Sequence, residues 1–217
     1  VAIDFISQKA MANDEVFKFV IVTLLNDYAN SKVMGMDAVY VHIVDTYYKT
    51  GKAFWLDDAA LFRIINQSDR IKPILIGKQA PQMVLQDTNN IDIPLYSLNT
   101  KYTMILFWDV DCGHCQKELP KVIDMYPEFA KMGGEIYAVY SQEEWEKWAA
   151  YLREKKLPWV NVGNKKLKSD FQVKYNVDQT PIIFILDKDK KIVAKKLGAD
   201  QVLDFLKRYE GLTAGHP

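Results

Sequence analysis

The chain has 217 residues, enough for one large domain or two small ones, and its 49% apolar content supplies a globular core. Its 28 lysines and arginines balance 28 aspartates and glutamates, so no net field recruits nucleic acid or an anionic membrane. No apolar run approaches the ~18–20 residues of a transmembrane span, and the longest, Phe19-Val20-Ile21-Val22-Thr23-Leu24-Leu25, suits a buried helix.

Residues 1–72 read as helical, and the sequence predicts a small all-helical domain over 1–73. Asp14-Glu15 precede an apolar segment from Val16 to Tyr28. Apolar residues cover most of that helix's circumference, which predicts burial on more than one side. Asn30-Ser31 and Gly35 break the pattern. From Met36 to Tyr48, apolar and aromatic residues recur at Tyr40, Val44 and Tyr47 and at Val41 and Tyr48, a helical spacing that assigns the tyrosines to packing inside the module. Gly51 ends this segment. Asp57-Asp58 make an acidic start for a further helix through Leu61, Phe62, Ile64 and Ile65, closed by Pro73. Residues 74–80 read as a linker, 81–211 as a second domain and 212–217 as a loose tail.

The second domain opens with a weakly alternating segment, Pro81 to Leu85, a turn cluster at Asp87-Thr88-Asn89-Asn90, and a short strand from Ile93 to Leu98, which together predict a β-hairpin. Strands and helices then alternate. A strand over 102–108 leads to a helix over 113–131, ended by Gly133-Gly134. A strand over 136–140 follows. Ser141, with Glu144 three places on, has the pattern of a capping box, opening a helix to Lys155 with Trp145, Trp148, Ala149 and Leu152 on one face. Next come a strand over 158–162, a helix over 167–175, and a hairpin over 182–196 turning at Asp187-Lys188-Asp189-Lys190. The lysines of that hairpin read as solvated. A last helix covers 200–209. Strands alternating with helices argue for an α/β sheet, which the closing hairpin makes mixed.

Both cysteines, Cys112 and Cys115, lie where strand 102–108 passes into helix 113–131. A helix start leaves backbone N–H groups unpaired and carries partial positive charge, which stabilises a thiolate there. Cysteines at i and i+3 share one face of the helix, so they can close a disulfide or hold one electrophile between them. A purely structural bridge is a poor reading, because closing so short a loop removes little chain entropy. A structural zinc site needs four ligands. One CxxC supplies two, and His42, His114 and His216 are scattered. Redox chemistry is the reading that fits, with no metal.

Three features carry a family resemblance. Phe107-Trp108 is followed by Cys112-Gly113-His114-Cys115; Glu118-Leu119-Pro120 stands just after; and Thr180-Pro181 opens the apolar strand Ile182-Ile183-Phe184-Ile185-Leu186. Over residues 76–210 the chain resembles the thioredoxin superfamily, and within it the TlpA/ResA-like thiol-disulfide oxidoreductases. The resemblance implies a thioredoxin-like fold, with a mixed central sheet flanked by helices and a β-hairpin addition. It implies that Cys112 attacks a disulfide, that Cys115 resolves the intermediate, and that Glu118 accepts the proton of Cys115. Gly113 and His114 would support the thiols, Pro120 would be architectural, and a cis Pro181 would face the sulfurs. Thr180, Pro181 and Trp108 would meet the substrate, although Trp108 and Phe107 are residue types found more often in cores. No cofactor is implied beyond the redox-active Cys112–Cys115 disulfide. The partners implied are a substrate protein bearing a disulfide or thiols and an upstream thiol-disulfide electron donor. The location implied is extracytoplasmic and bacterial. A chain starting at Val1 adds the expectation of a removed signal peptide or lipid anchor.

Two positions depart from the family pattern, and a third feature bears on the potential. Asp111 stands where an aromatic residue is usual, and a carboxylate beside a thiolate disfavours the charged form. Leu106 stands where thioredoxin has a buried acid, which leaves Glu118 for that role. The inner pair Gly113-His114 resembles protein disulfide isomerase, whose potential of about −180 mV is less reducing than the value of about −270 mV for thioredoxin. The TlpA/ResA-like resemblance makes reduction of protein disulfides the leading expectation, whereas Gly113-His114 favours the oxidase or isomerase direction. The alternatives are a disulfide oxidase or isomerase using the same pair, and a non-catalytic partner-binding protein acting through the helical module.

Overall fold

A computed structural model describes residues 2–166 and 169–214. The chain divides into two compact units, Val1–Leu75 and Ile76–Pro217.

The first unit is helical throughout. Helix α1 spans Ala2–Ala10, α2 Asp14–Ala29, α3 Asp37–Ile43 and α4 Asp58–Ile71. Two of these starts are fixed by side-chain caps. The Asn13 side chain accepts from the Val16 N–H at 3.1 Å, and that of Asp57 from the Ala60 N–H at 2.7 Å. α3 continues as a π-helical turn over Val44–Tyr48, and Gly51, at φ +76°, ends it in the left-handed region open to glycine. The core gathers Phe17, Ile21 and Leu25 of α2 around Tyr40, Tyr47 and Tyr48. Phe17 meets Tyr47 edge-on at 5.9 Å, and Tyr48 meets Trp55 edge-on at 6.3 Å. The expectation that α2 is buried on more than one side is corrected. Its buried residues are Phe17, Ile21 and Leu25, one stripe at i, i+4, i+8, whereas Phe19 is 71% exposed.

The second unit is built on a seven-stranded mixed sheet. Its strands are β1 (Val84–Gln86), β2 (Asp92–Pro94), β3 (Tyr102–Trp108), β4 (Gly134–Tyr140), β5 (Val160–Gly163), β6 (Ile182–Leu186) and β7 (Ile192–Lys195), in the order β2-β1-β5-β4-β3-β6-β7. β3 lies between β4, to which it is parallel, and β6, to which it is antiparallel. All seven of its residues are buried, which is why its sequence is a continuous apolar run rather than an alternation. Helices α5 (Gly113–Lys131), α6 (Trp145–Lys155) and α8 (Ala199–Ala214) contribute Leu119, Val122, Phe129, Trp148, Val202 and Leu206 to one cluster with Met104, Leu106 and Trp108 of β3. Phe107 points to the opposite face. It stacks on Phe171 of the short helix α7 (Phe171–Lys174) at 5.5 Å and meets Tyr175 at 5.2 Å. Gly134 starts β4 beneath the Phe129 ring, where an added Cβ would lie 2.5 Å from the ring edge.

The mixed sheet, the flanking helices and the β1–β2 hairpin follow the sequence expectation; several local details do not. The second hairpin strand is short, because the chain turns into a 3-10 helix over Leu95–Ser97. Ser141 and Glu144 form no capping box. α6 starts only at Trp145, and Glu144 instead accepts from the Tyr140 hydroxyl at 3.3 Å. Residues 77–80, read as linker, are tied to the β7 edge. The Gly77 N–H donates to the Ile192 carbonyl at 2.8 Å and that of Ala80 to the Lys190 carbonyl at 2.9 Å. The hairpin lysines are not all solvated. Lys195 is buried, and so is Lys190, whose ammonium donates to the Thr103 hydroxyl at 3.0 Å and whose pKa is lowered by that burial. α8 continues to Ala214 through the start of the expected tail, and 215–217 lie outside the described residues. The helix expected over 167–175 is confined to α7, and residues 167–168 also lie outside the described residues. Among the described residues, no helix is long and apolar enough to cross a membrane.

Candidate active site

The site forms where β3 ends. From Trp108 the chain crosses a short loop to Cys112, which is the N-cap of α5, with φ −74° and ψ 115°. The loop is held by its own side chains. The Asp109 carboxylate accepts from the Asp111 N–H at 3.0 Å, and the Gln116 side-chain amide donates to the Val110 carbonyl at 3.1 Å. At an N-cap the side chain normally accepts from a backbone N–H of the first turn. Here the acceptor is sulfur: Cys112 Sγ receives the Cys115 N–H at 3.3 Å. Across the site, Sγ also lies 3.2 Å from the Thr180 carbonyl oxygen, to which the thiol donates. Thr180 precedes Pro181 through a cis peptide bond, directly before β6. Residues 68 positions apart are thus brought into contact because β6 runs beside β3.

The two thiols have opposite environments. Burial works to raise the pKa of Cys112. Hydrogen bonds from the Thr180 side chain, from the Cys115 thiol and from the backbone N–H groups of Cys115 and His114 outweigh it and hold Cys112 below its ordinary value. Cys115 is 3% exposed, and burial together with its hydrogen bond to Cys112 pushes it up to about 12. A thiolate therefore forms first at Cys112, the more exposed sulfur, with Cys115 as its proton-bearing neighbour. In the reduced protein, iodoacetamide should modify Cys112 with an apparent pKa below that of a free thiol and leave Cys115 untouched at pH 8. Peptide mass mapping against pH checks this. Two groups added per chain at pH 8 would contradict the asymmetry.

The other sequence candidates fall into place unevenly. His114 is exposed, and its part in the site is its backbone N–H. Gly113 is exposed at the first helical position, with nothing within 4 Å of where a Cβ would be. Asp111 does not act as expected: it forms an ion pair with Lys147 on α6, and what sets the Cys112 pKa is burial and hydrogen bonding. Trp108 is corrected from substrate contact to core. It is 2% exposed, 5.5 Å from the Tyr151 ring and 6.3 Å from that of Tyr140. Leu106 is likewise in the core. Glu118 lies one turn beyond Cys115 with its side chain 16% exposed. One carboxylate oxygen accepts from Lys121 at 3.0 Å and the other from the Ala199 N–H at 2.5 Å. Glu118 and Pro181 line one cavity of about 250 Å³ with Gln179, Ile182, Lys196 and Gly198. Among the described residues, no three His, Cys, Asp or Glu side chains gather where they could hold a metal ion. His42 bonds Asp4 at 2.7 Å in the helical unit, and His216 lies outside the described residues.

Sequence reasoning missed Gln116, Lys147 and Ala199. The i, i+3 spacing of Glu118 and Lys121 was open to inspection, whereas the contact of Glu118 with Ala199 spans 81 positions and had no local signal.

A sequence model of the AhpC/TSA family matches residues 76–195, the stretch that carries the whole dithiol site. The chain belongs to the AhpC/TSA family. Among its relatives, a thiol-disulfide oxidoreductase ResA of Bacillus cereus is 31% identical over 137 residues, covering 62% of this chain and 76% of that protein. A crystal structure of the thioredoxin domain of a thiol-disulfide oxidoreductase from Bacteroides vulgatus is 29% identical. It covers 62% of this chain and 96% of that one, with a TM-score of 0.57. A thioredoxin-like protein from Bacteroides caccae covers 94% of this chain and 74% of its own, with a TM-score of 0.74. At 18% identity it speaks for the fold alone.

Proposed function

We propose that this thiol-disulfide oxidoreductase works as a reductase of protein disulfides, with Cys112 as nucleophile and Cys115 as resolving thiol. The Cys112 thiolate attacks one sulfur of a substrate disulfide. A Cys112–substrate disulfide forms, and the substrate's other sulfur leaves as a thiolate that takes up a proton. Cys115 then loses its proton and attacks Cys112 Sγ. The Cys112–Cys115 disulfide forms, and the substrate departs with both sulfurs reduced. Glu118, one turn along the same helix, accepts the Cys115 proton. The Thr180-Pro181 segment lies beside Cys112 Sγ, where a substrate strand can align. An upstream dithiol protein returns two electrons to the pair, so no bound cofactor takes part. Its place of work is extracytoplasmic in this proposal.

The single observation that carries this direction is the burial of Cys115 in the core at 3% exposure, which pushes its pKa up. A thiol of high pKa is a poor leaving group. Expelling Cys115 from Cys112 is therefore harder than expelling a substrate thiolate of ordinary pKa, and the pair gives up electrons more readily than it takes them. The lowered pKa of Cys112 acts in the opposite sense, because it stabilises the reduced form. It supports the second reading, an oxidase or isomerase. Equilibration in graded glutathione buffers, scored by thiol trapping, decides between them. A two-electron transition near the thioredoxin value of about −270 mV is expected, and one near −180 mV would replace the reductase with the second reading.

A further inference from the structure

Strand β7 is followed by a lysine whose backbone has a conformation that glycine ordinarily supplies. Lys196 has φ +59°, in the left-handed region that is costly for a residue with a Cβ. Its N–H donates to the Ile183 carbonyl at 2.8 Å, which fixes the base of its side chain beside β6, two residues from Pro181. Such backbone outliers persist where the surrounding structure holds them, and they gather at functional sites. Lys196 is exposed and lines the cavity of about 250 Å³ that Pro181 also lines. Among the described residues its ammonium has no hydrogen-bond or ion-pair partner, and neither does the side-chain amide of Gln179 on the same cavity. The charged residues lining that cavity are Glu118 and Lys196, with Asp200 next to Gly198 outside the lining. Both oxygens of Glu118 are already engaged, one by Lys121 at 3.0 Å and the other by the Ala199 N–H at 2.5 Å. The cavity therefore offers an incoming chain two free donors, one of them a cation.

We propose that Lys196 is a specificity-determining residue: its ammonium, with the Gln179 amide beside it, receives a carboxylate of the substrate, so that the protein prefers disulfides flanked by aspartate or glutamate. The inference rests on a substrate strand aligning beside Thr180-Pro181, as in the reductase reading. The scale of an extended chain fits it. Two residues of such a chain span about 6.6 Å, and neighbouring strands lie about 4.8 Å apart. A lysine on the strand next to Pro181 is thus within reach of a side chain two places from the reacting cysteine. A cation at the rim of a contact surface acts on the encounter with its partner, and salt screens it.

Two short peptides test this, each with one cysteine joined to thionitrobenzoate as a mixed disulfide. One carries glutamate two residues to either side of the cysteine, the other glutamine. The Cys112 thiolate attacks the peptide sulfur, a Cys112–peptide disulfide forms, and thionitrobenzoate leaves as a coloured anion. Cys115 then loses its proton and closes the Cys112–Cys115 disulfide, and the peptide departs as a thiolate that takes up a proton. The reduced wild type should release the colour from the glutamate peptide about threefold faster at low ionic strength, the scale of one exposed ion pair. The preference should vanish near ~0.5 M salt. Lys196→Met should abolish it, Lys196→Arg keep it and Lys196→Glu reverse it. Lys196→Gly suits the left-handed backbone, so it should lose the preference while its thermal midpoint holds or rises, which separates the charge from folding. Colour released by Cys112→Ser as fast as by wild type would overturn the reductase reading and this inference with it. Release that depends on Cys112 but does not distinguish the peptides would overturn the role of Lys196 and leave the reductase standing. A preference that survives in Lys196→Met would assign it to another cation and overturn the inference as well.

Discussion

Cys112→Ser is expected to abolish disulfide turnover, by about 10⁴-fold or more, while Cys115→Ser halts the protein as a covalent adduct with its substrate. The difference follows from position. Cys112 is the N-cap sulfur, receiving the Cys115 N–H at 3.3 Å, and its pKa lies below the ordinary thiol value. Serine at that place can take the same N–H bond and keep the helix start, but its hydroxyl is not ionised at neutral pH. It is no substitute for a thiolate nucleophile, and loss of a nucleophile costs rates of this order. Cys115→Ser leaves the attacking thiolate intact and removes the sulfur that would release the substrate. The Cys112–substrate disulfide then accumulates. Non-reducing electrophoresis and intact mass spectrometry, with insulin as a disulfide probe, read both outcomes. Substantial turnover by Cys112→Ser would sink the assignment. Trapping by Cys112→Ser rather than Cys115→Ser would reverse the two roles.

Trp108→Ala should cost about 3–5 kcal/mol of stability, a large fraction of the roughly 5–15 kcal/mol that ordinarily keeps a domain folded. The indole is 2% exposed, part of a cluster with Leu119, Val122, Tyr140 and Trp148. Its truncation leaves a cavity that β3, bonded on both edges, cannot close by moving. Trp108→Phe is the informative companion. Among the described residues the indole N–H has no hydrogen-bond partner, so phenylalanine gives up volume and no polar contact. The Phe variant should lose only part of that stability, about 1–2 kcal/mol, and its insulin reduction should stay within about threefold of wild type. Urea unfolding gives the first number and the turbidity assay the second. A folded Phe variant with KM raised tenfold or more would restore Trp108 to substrate binding, contrary to its burial.

Much of the fold was legible because its signals are local. The strand 102–108 is a continuous apolar run because both its edges are paired and both its faces covered, and such a strand needs no solvent-facing residue. The dithiol site was legible for a similar reason: Cys112 and Cys115 are three positions apart, and the strand-to-helix junction places both at one helix start. Trp108 was misread as a substrate contact because it is near Cys112 in sequence, while strand alternation turns its ring into the core. Asp111 carried a sign of charge and no direction. Its pairing with Lys147 depends on α6 crossing beside the loop, which a local reading does not supply. The buried Lys190 belongs to the same class, since a lysine in a turn reads as solvated until Thr103 is seen beneath it.

The sequence by itself determined the element order, the apolar centre of the sheet and the placing of Cys112 and Cys115 together at one helix start. Periodicity, helix-start chemistry and i, i+3 spacing all act within a few residues. Only the tertiary structure decided which sulfur ionises, what opposes it and what holds Glu118. Those properties arise from burial and from contacts of Cys112 with Thr180 and of Glu118 with Ala199, pairs 68 and 81 positions apart. Pairing of β3 with β6 and packing of α8 on α5 create those contacts. A pKa depends on the dielectric and the hydrogen bonds around a group, and neither exists until distant segments meet.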